Sequence, residues 1–248
     1  MLRRVGLSGL ALSILAALTM VLVAYTLLHA SPAPVAGALA TLTGSASAQP
    51  TPTLTPTPAP SVSATTAPQP VVAFLGDSYA AGAGASSPSK GWTDLVSHHL
   101  GWVEKNLSLT TAGYSTAGEP GETSYRARIH ALVATGAQIV VVSGGRGDVS
   151  VGATRLRSEV RATLVGIHAA LPKAKIIVVS PTWGNSPAPA RLTAVITIVR
   201  AEAVRAGATY LNIGEPMAGK VALMAVNGWQ PNDAGHAAIA AAVEKALG

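Results

Sequence analysis

Two short runs in this chain restrict its fold more than anything else. Ile139-Val140-Val141-Val142 and Ile176-Ile177-Val178-Val179 are apolar at every position. A strand with one wet face would alternate apolar and polar residues. Unbroken β-branched runs belong to strands covered on both faces, as in parallel sheets sandwiched between helices. Three more strand-like runs, Val71–Leu75, Lys105–Leu109 and Thr209–Ile213, bring the expected strands to five, with the quartets extended to Gln138–Val142 and Lys175–Val179. Helix-like stretches lie between them: Trp92–Leu100, Thr123–Ala134, Ala153–Leu171, Ala188–Ala206 and Asp233–Leu247. Gly136, Pro172 and Gly207 stand where such helices stop. The alternation predicts an α/β domain: a three-layer α/β/α sandwich around a five-stranded parallel sheet, occupying residues 71–248.

The remainder of the 248 residues divides in two. Arg3 and Arg4 precede an uncharged stretch from Val5 to Leu28. That length suffices to cross a hydrocarbon core of about 30 Å at about 1.5 Å per residue. Residues 1–30 are therefore expected to be a retained signal-anchor, with the arginines cytoplasmic and everything that follows extracytoplasmic. Cleavage near Ala46-Ser47-Ala48, which would release a secreted domain, is the alternative. Residues 31–70 hold nine prolines, thirteen Ser or Thr and no charge. Such a segment supports neither helix nor central strand and reads as a disordered, polyproline-biased stalk.

Charge and composition remove several functions. The net charge of +6 comes from 17 basic and 11 acidic residues. Two of the positive charges sit in front of the anchor's apolar stretch, and the rest are spread through the domain with no basic, aromatic-interleaved stripe. Nucleic acid is not an expected partner. With no cysteine, a thiolate nucleophile and a thiolate zinc site are excluded. No phosphate-cradling glycine motif and no metal-ligand spacing occurs, so neither cofactor nor metal is expected.

In parallel sheets chemistry gathers beyond the carboxyl ends of the strands. After the first strand comes Gly76-Asp77-Ser78-Tyr79, which places a serine hydroxyl at a strand-to-helix turn. A plain capping loop would look similar. The whole stretch Val72-Ala73-Phe74-Leu75-Gly76-Asp77-Ser78-Tyr79 resembles the first block of the SGNH, or GDSL, hydrolases. The resemblance extends over the domain. It implies a flavodoxin-like fold and, in typical members, ester hydrolysis through an acyl-serine. Ser78 would be the nucleophile, with its own amide as an oxyanion donor. The second block's glycine donor falls best on Gly113. Thr111 and the stretch Pro120-Gly121-Glu122-Thr123 offer other registers.

The later blocks depart from the family pattern. The third, Gly-x-Asn-Asp, reads Gly145-Arg146-Gly147-Asp148. Gly147 stands in place of the Asn oxyanion donor, a loss worth about 10²–10³ in turnover. Arg146 is either a compensating cation or simply a solvated side chain. The fifth block, Asp-x-x-His before Pro-Asn, reads Asn227-Gly228-Trp229-Gln230 before Pro231-Asn232. Asn227 carries no charge to support an imidazolium, and Gln230 cannot take a proton near neutral pH. The resemblance with these losses implies an impaired or inactive family member, a pseudoenzyme that binds an acyl-ester or acylated glycan. The alternative is an active esterase or lipase using His236, with Asp233, as a displaced base pair. The competing reading of that pair is structural: Asp233 as a helix N-cap and His236 as a packed helical residue.

Overall fold

A computed structural model of the protein describes residues 68–110, 112–115 and 124–248. The anchor and nearly all of the stalk expected from the sequence lie outside these residues. Among the described residues no helix is long and apolar enough to cross a membrane.

Five strands form one parallel sheet: β1 (Val71–Gly76), β2 (Val103–Asn106), β3 (Ile139–Ser143), β4 (Lys175–Val179) and β5 (Thr209–Leu211). Their spatial order is β2-β1-β3-β4-β5, the flavodoxin-like order. Five helices cover it: α1 (Trp92–Leu100), α2 (Ile129–Val133), α3 (Ala153–Ala170), α4 (Ala190–Arg205) and α5 (Asp233–Leu247).

Period-two alternation along the central strands builds two separate cores. Ala73, Leu75, Val140, Val142, Ile176 and Val178 pack with Leu156, Val160 and Leu164 of α3 and Val195, Ile198 and Val199 of α4. The intervening residues Val72, Phe74, Val141, Ile177 and Val179 face the opposite way. They pack with Trp92 and Val96 of α1 and Ile239, Ala240 and Val243 of α5. Each quartet thus feeds both cores, which is why no polar residue interrupts it. Phe74 meets Trp92 edge-on at 5.6 Å between ring centres.

Several expected elements differ in extent, three of them for a visible physical reason. Strand β2 was expected at Lys105–Leu109 and forms at Val103–Asn106. It is the sheet edge and largely exposed, so its sequence carries little apolar signal. Leu107 and Leu109 still donate backbone bonds to Phe74 and Gly76 (2.8 and 3.0 Å), so the chain follows β1 past the end of the regular ladder. The expected helix Thr123–Ala134 is shorter: a 3₁₀ turn, Arg126–Arg128, runs into α2. Arg128 leaves helical geometry at ψ 2° and separates the two. Strand β5 stops at Leu211 rather than Ile213, where the Ile213 amide bonds the Ser180 hydroxyl (3.0 Å) instead of a neighbouring strand.

Candidate functional site

The order of the sheet determines where a site can form. Strands β1 and β3 are neighbours, and the chain leaves them toward different layers, which opens a crevice at their carboxyl ends. Ser78 follows β1 and Arg146 follows β3. They meet there although 68 residues separate them: Arg146 Nη2 donates to Ser78 Oγ at 3.0 Å.

Ser78 sits in a tight turn. Ala81 N–H bonds the Asp77 carbonyl and Ala83 N–H the Ser78 carbonyl, both at 2.9 Å, so the chain coils directly after the strand. Asp77 Oδ1 accepts the Tyr79 amide (3.0 Å), closing the turn from inside. Burial pushes the Asp77 carboxyl above its ordinary range, opposed by the nearby Arg146 charge. Ser78 itself is only 1% exposed.

The β3 loop begins with two glycines in left-handed backbone, Gly144 (φ 124°) and Gly145 (φ 109°). At Gly144 a side chain would also collide with the Tyr125 hydroxyl and with Asp77 Oδ2 (2.9 Å). The paired glycines therefore let the loop turn closely over the β1 turn and carry Arg146 across it. The guanidinium then lies 3.9 Å from the centre of the Tyr79 ring and 6.0 Å from that of Trp183. Among the described residues it makes no ion pair within 4.0 Å.

A cavity of about 760 Å³ opens over this contact. Its wall includes Ser78, Arg146 and the three positions read from the sequence as departing from the family pattern, Gly147, Asn227 and Gln230. Asn227 Oδ1 is turned to backbone, accepting the amides of Trp229 (2.9 Å) and Gln230 (3.1 Å). Gln230 Oε1 is buried with no hydrogen-bond partner among the described residues.

His236 and Asp233 are engaged elsewhere. His236 is fully buried; its Nδ1 accepts the Trp92 amide (3.3 Å) and its Nε2 faces the Ala83 carbonyl (3.1 Å). One neutral tautomer, protonated at Nε2, satisfies both contacts. Burial holds its pKa below the ordinary imidazole value. Asp233 accepts the amide and hydroxyl of Ser86 (2.7 and 2.6 Å). Neither residue is part of the cavity wall. The α5 N-cap is Asn232, not Asp233, since Asn232 Oδ1 accepts the Gly235 amide at 3.0 Å.

Gly113 lies against Asp148. A Cβ there would fall 2.6 Å from the carboxylate. Asp148 is buried and accepts the amides of Tyr114 and Ser115 (2.9 and 3.0 Å) and the Ser115 hydroxyl (2.9 Å). The aspartate that fits the third block thus ties the 112–115 segment to the β3 loop, and the cavity wall in that segment is Ala112. Thr111 and Pro120-Gly121-Glu122-Thr123, the other registers for the second block, lie outside the described residues.

Sequence reasoning missed the loops after β4 and β5. Trp183, Gly184, Asn185 and Ser186 line the cavity. Glu215 Oε2 fixes that loop by accepting the Trp183 amide (2.6 Å) and the Thr182 hydroxyl (3.0 Å). The available signal was position alone: these residues also follow carboxyl ends of strands. Among the described residues no cluster of three or more His, Asp or Glu could hold a metal ion.

Comparison with known proteins agrees with the fold. The chain is 27% identical over 179 residues to the GDSL lipase Rv0518 of Mycobacterium tuberculosis, covering 66% of this chain and 76% of that protein. Among solved structures it resembles the psychrotrophic esterase EstA from Pseudoalteromonas sp., at TM-score 0.58 and 16% identity over 72% of this chain and 97% of the other. It resembles equally Est24, a carbohydrate acetylesterase from Sinorhizobium meliloti, at TM-score 0.58 and 14% identity over 72% and 99%. The GDSL-like lipase/acylhydrolase family matches residues 74–238, more than half of the chain, and the chain belongs to that family.

Proposed function

We propose that this domain keeps the family fold and its serine but not ester turnover, and that it acts as a binding module. The reading places it outside the cytoplasm, carried by the apolar N-terminal segment and the proline-rich stalk. The observation that carries it is the 3.0 Å bond from Arg146 to Ser78. A serine attacks a carbonyl only if a neighbouring group takes its proton. Arginine donates from every nitrogen and accepts at none. A cation favours an alkoxide but cannot itself take the proton, and the Asp77 carboxyl beneath the turn is engaged by the Tyr79 amide. The nearby cavity side chains Asn227 and Gln230 are neutral amides, which do not serve as bases near neutral pH.

The competing reading needs His236 as the base. Both of its nitrogens face backbone groups, the Trp92 amide and the Ala83 carbonyl. Reaching Ser78 would require breaking both buried contacts. The test uses the purified full chain with a fluorophosphonate probe and short-chain p-nitrophenyl esters. The expected result is no labelling or hydrolysis above that of Ser78→Ala. Hydrolysis that Ser78→Ala abolishes would overturn the reading.

A further inference from the structure

The cavity over Ser78 has an unusual wall. Among the described residues its one aliphatic side chain is Ala112. A fatty acyl chain is stabilised by apolar contact along its length, and this wall offers little aliphatic surface for it. Most of the remaining side chains are aromatic or amide, Tyr79, Trp183 and Trp229 with Asn185, Asn227 and Gln230; Ser78, Ser186, Arg146 and the carboxyl of Asp77 complete the wall. Flat rings beside hydrogen-bonding amides suit a ligand that is itself apolar on one face and hydroxylated around its edge.

Two groups in this wall are incompletely matched. Arg146 has no ion-pair partner within 4.0 Å among the described residues, and its stack on Tyr79 leaves the charge facing the cavity side of Ser78. Gln230 Oε1 is a buried acceptor with no donor among the described residues. A buried acceptor left without a donor is costly, and a ligand hydroxyl would relieve it. The guanidinium fork matches a carboxylate. Two carboxyl groups lie near and are otherwise engaged. Asp77 holds the Tyr79 amide from beneath the turn, and Glu215 holds the Trp183 amide and the Thr182 hydroxyl.

We propose that the cavity binds a carboxylated sugar, with the carboxylate on Arg146 and Ser78, the ring against Trp183 and a hydroxyl donating to Gln230 Oε1. The 6.0 Å between the guanidinium carbon and the Trp183 ring centre leaves room for a ring stacked on the indole with its exocyclic carboxylate on the arginine. No bond is made or broken. The proposal rests on the preceding reading that Ser78 does not turn substrate over, since an unreacted hydroxyl is then a donor to the ligand.

Calorimetric titration of the full chain with D-glucuronate, D-galacturonate, trigalacturonate, D-glucose and octanoate tests it. Glucuronate should bind roughly 10- to 100-fold more tightly than glucose, the worth of a charge-assisted hydrogen bond. Arg146→Met should erase that preference, and Trp183→Ala should weaken both sugars. Arg146→Lys, which keeps the charge and loses the fork, should retain part of the preference. Tighter binding of trigalacturonate than of galacturonate assigns the ligand to a polymer, and equal binding assigns it to a free sugar acid. Glucose binding as tightly as glucuronate, octanoate binding more tightly than either, or no binding at all overturns the proposal. Fluorophosphonate labelling on the same samples separates the two claims. No labelling with no glucuronate binding overturns this inference alone, whereas Ser78-dependent labelling overturns the preceding reading.

Discussion

The guanidinium of Arg146 rests 3.9 Å from the centre of the Tyr79 ring, and the Tyr79 hydroxyl donates to the Trp229 carbonyl at 3.1 Å. One tyrosine therefore holds both the cation over Ser78 and the loop bearing Asn227 and Gln230. Tyr79→Phe keeps the ring and deletes the bond. It should lower stability by about 1 kcal/mol, read as a shift in urea midpoint at unchanged slope. Tyr79→Leu should cost more, because the cation–π contact, worth about 0.5–2 kcal/mol, goes as well.

The proposed lack of a proton acceptor is tested by supplying one. The variant Arg146→Ala, Asn227→Asp, Gln230→His removes the cation and returns an acid and an imidazole to the cavity wall. It should hydrolyse short p-nitrophenyl esters at least about 100-fold faster than the parent, the lower end of what a general base contributes. The rate should rise with pH as the new imidazole loses its proton, and Ser78→Ala in that background should return it to the parent level. An inert triple variant with an intact fold would show that lack of a base is not what keeps Ser78 silent.

His236 should make stability depend on pH. Its folded pKa is depressed below the ordinary 6.5, chiefly by burial. Between the two values the unfolded chain binds more protons at this site than the folded one, so stability falls as pH drops below about 6.5. The slope is bounded by one proton, about 1.4 kcal/mol per pH unit. Urea denaturation from pH 8 to 5 should show this loss, and His236→Gln should flatten it whatever its own cost. An unchanged slope in the variant would remove His236 as the source.

Glu202 predicts a second, lower window. Its side chain is covered by three arginines of α3 and α4: Arg161 at 2.9 and 3.2 Å, Arg205 at 3.4 Å and Arg157 at 4.0 Å. The Arg161 hydrogen bonds lower its pKa below the ordinary 4.5. The stabilisation is therefore present above pH 4.5 and is lost as pH falls through the lowered value. The arginines are about half exposed, which limits the interaction. Glu202→Gln should cost about 1–2 kcal/mol at pH 7 and reduce acid sensitivity below pH 4.5.

Much of this fold was legible because its physics is local. Strand β4 and helices α1 and α5 run over the residues read from the sequence. The first is an unbroken apolar run, and the helices carry periodic patterns with clear ends. Strand β2 slipped because an edge strand needs no apolar face. The reading of Asn227 and Gln230 as the acid and base positions rests on the register of Pro231-Asn232, and Asn232 does cap α5. The partnership of Arg146 with Ser78 could not. A charged residue after a strand looks the same whether it points to water or to a serine 68 positions earlier. The contribution of Trp183 was hidden for the same reason, since only the sheet order brings the β4 loop to the β1 turn.

The positions read as departing from the family's catalytic pattern, Gly147, Asn227 and Gln230, all sit on connections beyond one end of the sheet. None contributes a side chain to either core. Catalytic competence and folding are thus written in different parts of the chain. A lineage could exchange Asn for Gly147, Asp for Asn227 or His for Gln230, in either direction, while natural selection on thermal stability registered almost nothing. Such a fold can drift between enzyme and receptor without passing through an unfolded intermediate in its history.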